Sequence, residues 1–211
     1  MKIAGIVGTN ADFSYNRRRL EFIQEKFSAM AEIEIVEVND LPLFSKDYFD
    51  GSDELSPEES YNVNRFKYRI EEADGIIWSC PEYDHTIPAA LKNAIEWLAF
   101  QEHILDDKPS MVIGASYGRQ GSAFAQEQLR QILAAPSVAA LTLPACEVEI
   151  SFVADKFKTG TLRDEADIAR ITQALTKFVK FSFLNQKDFY RRLQDRDWKK
   201  LRRSYDENYR Q

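Results

Sequence analysis

The sequence contains few of the residues that build disulfide frameworks or metal centres, with two cysteines and two histidines among 211 residues. Two cysteines are too few for a disulfide framework, and two histidines leave no metal-ligand spacing, so we expect no structural metal. No apolar run is long enough to span a bilayer, and the short run after Lys2 stops too early for a signal peptide. These absences predict a cytoplasmic protein with no membrane partner.

An excess of basic charge is also absent. The chain carries 28 Lys and Arg against 34 Asp and Glu, which gives a net charge of -6. Proteins that bind nucleic acid usually present a basic surface, so the charge balance argues against nucleic acid as a partner.

The residues that are present fit one α/β domain. A chain of 211 residues with 44% hydrophobic composition can bury a full core. Strand-like apolar runs alternate with amphipathic helical patterns, which predicts a doubly wound parallel sheet. The five predicted strands cover residues 2–7, 32–38, 75–79, 111–115 and 138–143. The common order of such a sheet, 2-1-3-4-5, places ligands at the carboxyl ends of strands one, three and four.

The first of these carboxyl ends has the character of a phosphate site. Gly8-Thr9-Asn10 turns the chain after the first strand, and Ser14 or Asn16 can cap the helix that follows, to about residue 31. Three arginines stand at positions 17–19, where cations oppose the helix dipole. A bound anion would remove that conflict. The alternative is a solvated basic turn at a subunit contact.

The second carboxyl end is a loop between two prolines. Pro81 ends the third strand because it cannot donate to the ladder, and Pro88 suits the first turn of the next helix. The loop between them, residues 82–86, points backbone N–H and C=O groups outward, where they can read the polar edge of a flat heterocycle. The alternative is an ordinary strand-to-helix turn.

The third carboxyl end is a glycine-containing loop, residues 116–122. Two glycines permit close approach of backbone to a ligand, and Ser116, Tyr117 and Arg119 add hydrogen-bond donors.

Three other segments carry weaker predictions. Residues 41–57 form a polar insertion in which exposed Tyr48 and Phe49 would cover a ligand or partner, unless it is a plain surface loop. Residues 148–153 predict a short extended piece. We divide the chain into a domain of residues 1–184 and a basic, aromatic-rich helical extension, residues 185–211, that docks on its own or a neighbouring subunit. RNA or membrane binding is the alternative for that extension.

Several motifs in and beside these loops resemble those of one family. They are Gly8-Thr9 followed by Ser14, Asn16 and Leu20, then Pro81-Glu82-Tyr83, Ile87-Pro88, and the segment from Leu91 to Trp97. The sequence resembles the NADPH-dependent FMN reductase family of flavodoxin-like flavoproteins over about residues 1–183.

This resemblance implies a flavodoxin-like three-layer sandwich, in which a five-stranded parallel sheet has helices on both faces and an extra C-terminal helix follows. It implies tightly bound FMN and hydride transfer from NADPH or NADH. The acceptor would be a small molecule such as a quinone, free flavin or azo compound. It also implies a homodimer or homotetramer.

The resemblance assigns a role to each loop. The first loop would hold the FMN phosphate, the second would line the isoalloxazine ring, and the third would close the other edge of that ring. The phosphate residues are Thr9, Ser14, Tyr15 and Asn16, the ring residues are Pro81, Glu82, Tyr83, Asp84, His85 and Thr86, and the third set is Ser116, Tyr117 and Gly118.

The chain departs from the family pattern at three positions. Ala11 stands where members often carry Arg, so one phosphate ligand is missing, and we hypothesise that Arg17 substitutes for it. Asp84 replaces the usual Asn, and Ala89 replaces the usual Gly. A carboxylate beside a reduced, anionic flavin is unfavourable, so we expect Asp84 to lower the reduction potential of the flavin.

The implied chemistry belongs to the cofactor. Flavin N5 takes the hydride while the protein supplies orientation and electrostatics, so no side-chain nucleophile is required. His85 has at most a minor role in protonating a reduced quinone, and a loop histidine without catalytic duty is the simpler interpretation. We interpret Cys80 as a packed residue rather than a nucleophile.

Two other functions stay open at this point. A flavodoxin-type electron carrier would use the same loops but would pass single electrons to a protein partner. A nonenzymatic protein that has kept the fold is conceivable because Ala11 replaces an arginine and the chain ends in a basic extension.

Overall fold

The computed structural model describes residues 1–157 and 160–185. Its strands are β1 (Lys2–Val7), β2 (Glu32–Val36), β3 (Gly75–Ser79), β4 (Pro109–Ala115), β5 (Leu141–Thr142) and β6 (Glu149–Ile150). Its helices are α1 (Tyr15–Lys26), α2 (Asp47–Asp50), α3 (Pro57–Glu71), α4 (Ala89–Ala99), α5 (Ala123–Leu133), α6 (Val153–Lys156) and α7 (Glu165–Leu184).

The sheet has the predicted flavodoxin-like order, β2-β1-β3-β4-β5, and every pairing along it is parallel. In register, Val7 lies opposite Ser79, and Ser79 lies opposite Ile113. The carboxyl ends of β1, β3 and β4 therefore meet at one edge of the sheet. The predicted fold class is confirmed.

Helices cover both faces of this sheet, because successive strand residues point to opposite sides. Ala4 and Ile6 of β1 belong to the core layer under α3, α4 and α5. Ile3 and Val7 belong to the other layer, under α1 and α7. The helix α1 is thereby fixed against the sheet, with its first turn at the carboxyl edge of the sheet.

Several predicted boundaries were too long. The first helix ends at Lys26, because Phe27 leaves helical geometry with φ −112°, and β2 stops at Val36. Ala139 has a φ of 48°, which breaks the predicted fifth strand and leaves only two residues of β5. The extended piece predicted at residues 148–153 forms β6, which pairs with the end of β4 beyond the reach of β5.

The expectation that Tyr48 and Phe49 are exposed was wrong. Both are half-buried against the far end of α4, where Tyr48 stacks on Trp97 with ring centroids 5.9 Å apart. Phe49 meets Phe100 at 4.8 Å. The insertion is also tied to α4 by hydrogen bonds, since Asn93 Nδ2 and Trp97 Nε1 each donate to the carbonyl of Pro42 at 2.9 Å. Apolar packing and these bonds therefore give the segment a structural role.

The predicted C-terminal extension lies almost wholly outside the described residues, so its helix and its docking stay predictions. Among residues 1–157 and 160–185, no helix has the length and apolar character needed to cross a membrane. The same residues contain no group of three or more His, Cys, Asp or Glu side chains arranged to hold a metal ion.

Candidate functional site

Direct contacts join the three predicted loops at the carboxyl edge of the sheet. The hydroxyl groups of Thr9 and Tyr83 share a hydrogen bond of 2.8 Å between the first and second loops. Asn16 Nδ2 donates to the carbonyl of Ala115 at 3.3 Å, where β4 enters the third loop. The rings of Tyr15 and Tyr117 meet edge to face, 5.4 Å between centroids. The loops thus form one surface.

The first loop leads into a helix start that offers donors to an anion. Ser14 caps α1 by accepting from the N–H groups of Asn16 at 3.2 Å and Arg17 at 3.4 Å. Within the part of the chain that the structure describes, the N–H groups of Asp12 and Phe13 donate to no protein atom. Free donors together with the positive end of a helix dipole make a site for a negative group such as a phosphate.

Arg17, the proposed substitute phosphate ligand, is engaged with protein groups. Its guanidinium makes a bidentate ion pair with Glu37, at 2.7 and 2.8 Å. It also donates to the carbonyls of Ala11 at 3.0 Å and Asp12 at 2.8 Å. The hydrogen bond to Glu37 raises the pKa of Arg17. Arg17 therefore holds the loop around Ala11 by its hydrogen bonds to the loop carbonyls, and Glu37 neutralises most of its charge.

Arg19 was considered only as one of three arginines near an anion, and the sequence analysis did not predict its burial or select it as a site residue. It is fully buried, and its Nη2 donates to Asn16 Oδ1 at 2.9 Å and to Ser79 Oγ at 2.8 Å. Burial lowers the pKa of Arg19 to about 9. A signal for this burial was present, because Arg19 stands four residues before Ile23, on the buried stripe of α1.

The second loop is a tight hairpin. Tyr83 and Thr86 exchange two backbone hydrogen bonds of 3.0 Å, and the two residues between them have φ values of 50° for Asp84 and 63° for His85. Two consecutive positive φ values are the mark of a type I′ turn, which favours Asn, Asp and Gly. Both turn residues are exposed, as is Tyr83. The side chain of His85 rests edge to face on Phe124, 4.9 Å between centroids.

Glu82 fastens this hairpin to α5. Ser122, the residue before α5, has a φ of 69° and makes no side-chain cap. The carboxylate of Glu82 takes that place by accepting from the N–H of Ala125 at 3.1 Å. Thr86 donates a hydrogen bond to Gln128 on the same helix. Glu82 and Thr86 thus have clear structural duties in the loop.

Behind the hairpin, the scaffold is closed to solvent. Cys80 is fully buried and its thiol donates to the carbonyl of Pro81 at 3.3 Å. Burial raises the pKa of Cys80 to about 12, so the thiol is neutral near pH 7. The interpretation of Cys80 as a packed residue is confirmed. Pro81 is also buried, so only its loop neighbours reach the surface.

The third loop is supported by β6 and by the turn after it. Ser116 Oγ donates to the carbonyl of Gly118 at 3.1 Å and accepts from the N–H of Gly121 at 2.9 Å. Phe152 N donates to the Gly118 carbonyl at 3.0 Å. A Cβ atom at Gly121 would lie 2.7 Å from Glu149, so this glycine is required by packing, whereas a Cβ at Gly118 would meet nothing within 4 Å. Gly118 therefore leaves open space at the surface of the site.

The arrangement combines free N–H donors at a helix start with an exposed polar hairpin at the carboxyl end of β3. The model of the family described as NADPH-dependent FMN reductase matches residues 1–155, which include all three loops. The chain belongs to the NADPH-dependent FMN reductase family. The resemblance seen in the sequence motifs is confirmed.

Two relatives of this chain are named as subunits of NADH-dependent reductases. The NADH-dependent flavin reductase subunit 2 of Lactobacillus johnsonii is 46% identical over 187 residues, which cover 86% of this chain and 97% of the relative. The NADH:(hydroxy)cinnamate reductase subunit CrdA of Vibrio ruber is 40% identical over 183 residues, with 86% and 87% covered.

A solved structure also matches the fold. FerB, a flavoenzyme NAD(P)H:(acceptor) oxidoreductase from Paracoccus denitrificans, has a TM-score of 0.76 and 26% identity. The match covers 88% of this chain and 98% of FerB.

The FMN of this family fits the residues at the site. The free N–H groups of Asp12 and Phe13 suit its phosphate, and the open space at Gly118 suits the close approach of a flat ring to backbone. The exposed side chains of Tyr83 and Tyr117 contact Thr9 of the first loop and Tyr15 at the start of α1, respectively.

Proposed function

We propose that this protein is an FMN-dependent NAD(P)H oxidoreductase that passes a hydride to a small, flat acceptor such as a quinone, free flavin or azo compound. One observation carries the proposal: three polar loops are bonded together around the start of α1 in a chain of the FMN reductase family. An electron carrier or a nonenzymatic protein explains this combination less well, because the relatives are named as reductases.

We assign the two ends of the ligand as follows. Backbone N–H groups of the first loop hold the phosphate, with Ser14, Tyr15 and Asn16 around it. Thr9 contributes by tying this loop to Tyr83, since its hydroxyl already bonds Tyr83 and the N–H of Ala11. The hairpin from Pro81 to Thr86 lines one edge of the ring, and Ser116 to Gly118 line the other.

The role of the protein is to bind and orient. Bound FMN supplies the hydride chemistry through its ring. The N–H groups of the first loop would hold the phosphate, and the hairpin would border the ring. Tyr83 and Tyr117 are exposed and leave one side of that surface open to a second flat molecule. Arg17 holds the phosphate loop through the Ala11 and Asp12 carbonyls rather than by a direct contact.

His85 has no catalytic duty in this proposal. Its side chain is 72% exposed and its Nδ1 lies 3.7 Å from Glu82, a contact that is an ion pair only when His85 is protonated. Water can deliver protons at so open a position as well as a histidine can. Replacing His85 by Gln should therefore leave turnover nearly unchanged.

We also propose that the protein works in the cytoplasm as a homodimer or homotetramer. The two relatives are named as subunits, which supports an alternative assembly in which this chain pairs with a different polypeptide. The molar mass measured by light scattering distinguishes the two assemblies. It should be measured for the chain purified alone and for the chain coexpressed with its adjoining genes.

Steady-state turnover tests the function. Purified protein supplied with FMN should oxidise NADH or NADPH much faster when a quinone such as menadione is present. Free FMN without protein is the control. Activity that does not depend on FMN, or that is absent with quinone, flavin and azo acceptors alike, would contradict the proposal.

A further inference from the structure

Arg19 is a buried cation without a counter-ion. Its side chain is fully buried, and the only groups it bonds in the described chain are the neutral Asn16 Oδ1 and Ser79 Oγ. Its Nε and Nη1 atoms have no hydrogen-bond partner. A buried charge is normally paired, because removing it from water without compensation is costly. Packing alone gives no reason for an arginine here.

The nearby acidic groups do not balance this charge. Asp167 at the start of α7 is fully buried, and its two carboxylate oxygens are taken by Lys156 and Arg170. The Cys80 thiol, the other nearby titratable group, has a pKa raised to about 12 and is neutral at pH 7. A net positive charge is therefore left under the first loop. Arg17 differs, since Glu37 answers its charge.

The position of Arg19 connects that charge to the site. Arg19 lies four residues after Tyr15, the first residue of α1, which is about 6 Å along the helix axis. Its partner Asn16 also holds the carbonyl of Ala115, and its partner Ser79 ends β3. One guanidinium thus joins α1, β3 and, through Asn16, β4 at the edge where the loops meet.

We propose that Arg19 is a positioning and specificity residue that selects phosphorylated flavin. Its charge is balanced by the dianionic phosphate at the start of α1, and its two hydrogen bonds keep Asn16 and Ser79 in place for that group. The site then discriminates FMN from riboflavin, which has the same ring and no phosphate. This inference rests on the proposed FMN-binding function.

The test measures dissociation constants of the apoprotein for FMN and riboflavin by quenching of flavin fluorescence. Arg19→Gln removes the charge and keeps a side-chain donor, while Arg19→Lys keeps the charge and loses the planar guanidinium. Lys26→Met removes a cation from the exposed last turn of the same helix and is the matched control. Thermal unfolding of each apoprotein reports on the fold.

Arg19→Gln should weaken FMN binding about tenfold or more, because a positive charge close to the phosphate in a poorly screened interior is lost. Riboflavin binding should change less than about threefold on the same reasoning. The preference for FMN is the ratio of the riboflavin dissociation constant to the FMN dissociation constant. Arg19→Lys should keep at least half of the logarithm of the wild-type ratio, and Lys26→Met should keep all of it. Thermal stability of the Arg19→Gln apoprotein should not fall, since an unpaired buried charge has been removed.

Equal losses for both flavins in Arg19→Gln, or an unchanged preference for FMN, would overturn the inference. A collapse of the preference in Arg19→Lys would also overturn it, and this result can be read even if Arg19→Gln fails to fold. Wild-type protein that binds neither flavin would contradict the proposed function itself. The two failures are therefore distinguishable.

Discussion

The two ends of the candidate site are built in different ways. At the phosphate end, the polar side chains of Ser14, Asn16, Arg19 and Ser79 are buried and bonded to one another or to backbone. At the ring end, exposed residues sit on a turn whose shape is set by backbone hydrogen bonds. One end depends on side-chain identity, and the other depends on backbone conformation.

This difference separates the residues that bind the cofactor from those that modify the properties of the flavin. A buried polar network loses most of its function when one member is removed, because the remaining groups stay buried without partners. An exposed turn tolerates substitution as long as the new residue adopts the same φ and ψ. Changes to the neutral members of the phosphate end should therefore damage stability and FMN affinity together, whereas removal of the unpaired Arg19 charge should lower FMN affinity alone. Changes at the ring end should act on the flavin with little effect on the fold.

The largest effect is expected for Asn16→Ala at the phosphate end. The change removes the bond to Ala115 and leaves Arg19 with one neutral partner. We expect the free energy of unfolding to fall by about 2 to 4 kcal/mol, measured by urea denaturation of the apoprotein. The control Asn10→Ala, at an exposed residue of the loop before α1, should cost less than about 0.5 kcal/mol. A small effect at Asn16 would remove the contrast between the two ends.

The second effect concerns pH and the closed scaffold behind the ring end. The pKa of Cys80 is about 12 when folded and close to its usual value of 9.0 when unfolded. Its contribution to stability is therefore fully present below pH 9 and is lost as pH rises toward 12. Between pH 8 and pH 10 the loss should be about 1.4 kcal/mol.

Denaturation at pH 8 and pH 10 measures this loss. The Cys80→Ala variant should lose less stability than the wild type over the same interval. If the free energy of unfolding of both proteins changed equally with pH, the thiol would not be shielded from water.

A smaller effect is expected from the relief of backbone strain in the hairpin. His85 has a φ of 63°, which a glycine adopts without strain, so His85→Gly should raise stability by about 0.5 kcal/mol in spite of the lost contact with Phe124. His103→Gly, which relieves a φ of 52° away from the site, is the control. A large drop in FMN affinity for His85→Gly would show that the imidazole itself holds the cofactor.

The finest distinction concerns Asp84. Asp84→Asn keeps a residue suited to the type I′ turn and removes a negative charge from the ring end. We expect the reduction potential of bound FMN to rise by about 10 to 30 mV, measured by dye equilibration, with unfolding unchanged. Asp106→Asn, an exposed change elsewhere, should leave the potential where it is. An unchanged potential in Asp84→Asn would place its carboxylate away from the ring.

The arrangement of the loops followed from the sequence because it depends on local patterns. The alternation of apolar runs with helical patterns predicts a doubly wound sheet, and the common strand order of such sheets brings the three loops to one edge. Pro81 and Pro88 mark where the second loop begins and ends. The family motifs supplied the roles of the loops, and the family match supports the reading as a whole. These signals act over a few residues and need no knowledge of packing.

The remaining features depend on contacts between distant segments. Glu82 caps a helix that starts about forty residues later in the chain, and no local pattern predicts this contact. Tyr48 and Phe49 were expected at the surface because the insertion is polar, but Trp97 and Phe100 cover them. Arginine usually lies in solvent, so a buried Arg19 was not expected, although its helical spacing places it on the buried stripe of α1.

The most direct test is the anaerobic absorption spectrum of the FMN-loaded protein before and after NADH or NADPH is added. We predict a flavin spectrum that bleaches within seconds with at least one of the two nucleotides and returns when a quinone is supplied. A protein that binds no FMN would contradict the assignment of the three loops. A bound flavin that stays oxidised with both nucleotides would contradict the reductase and favour an electron carrier.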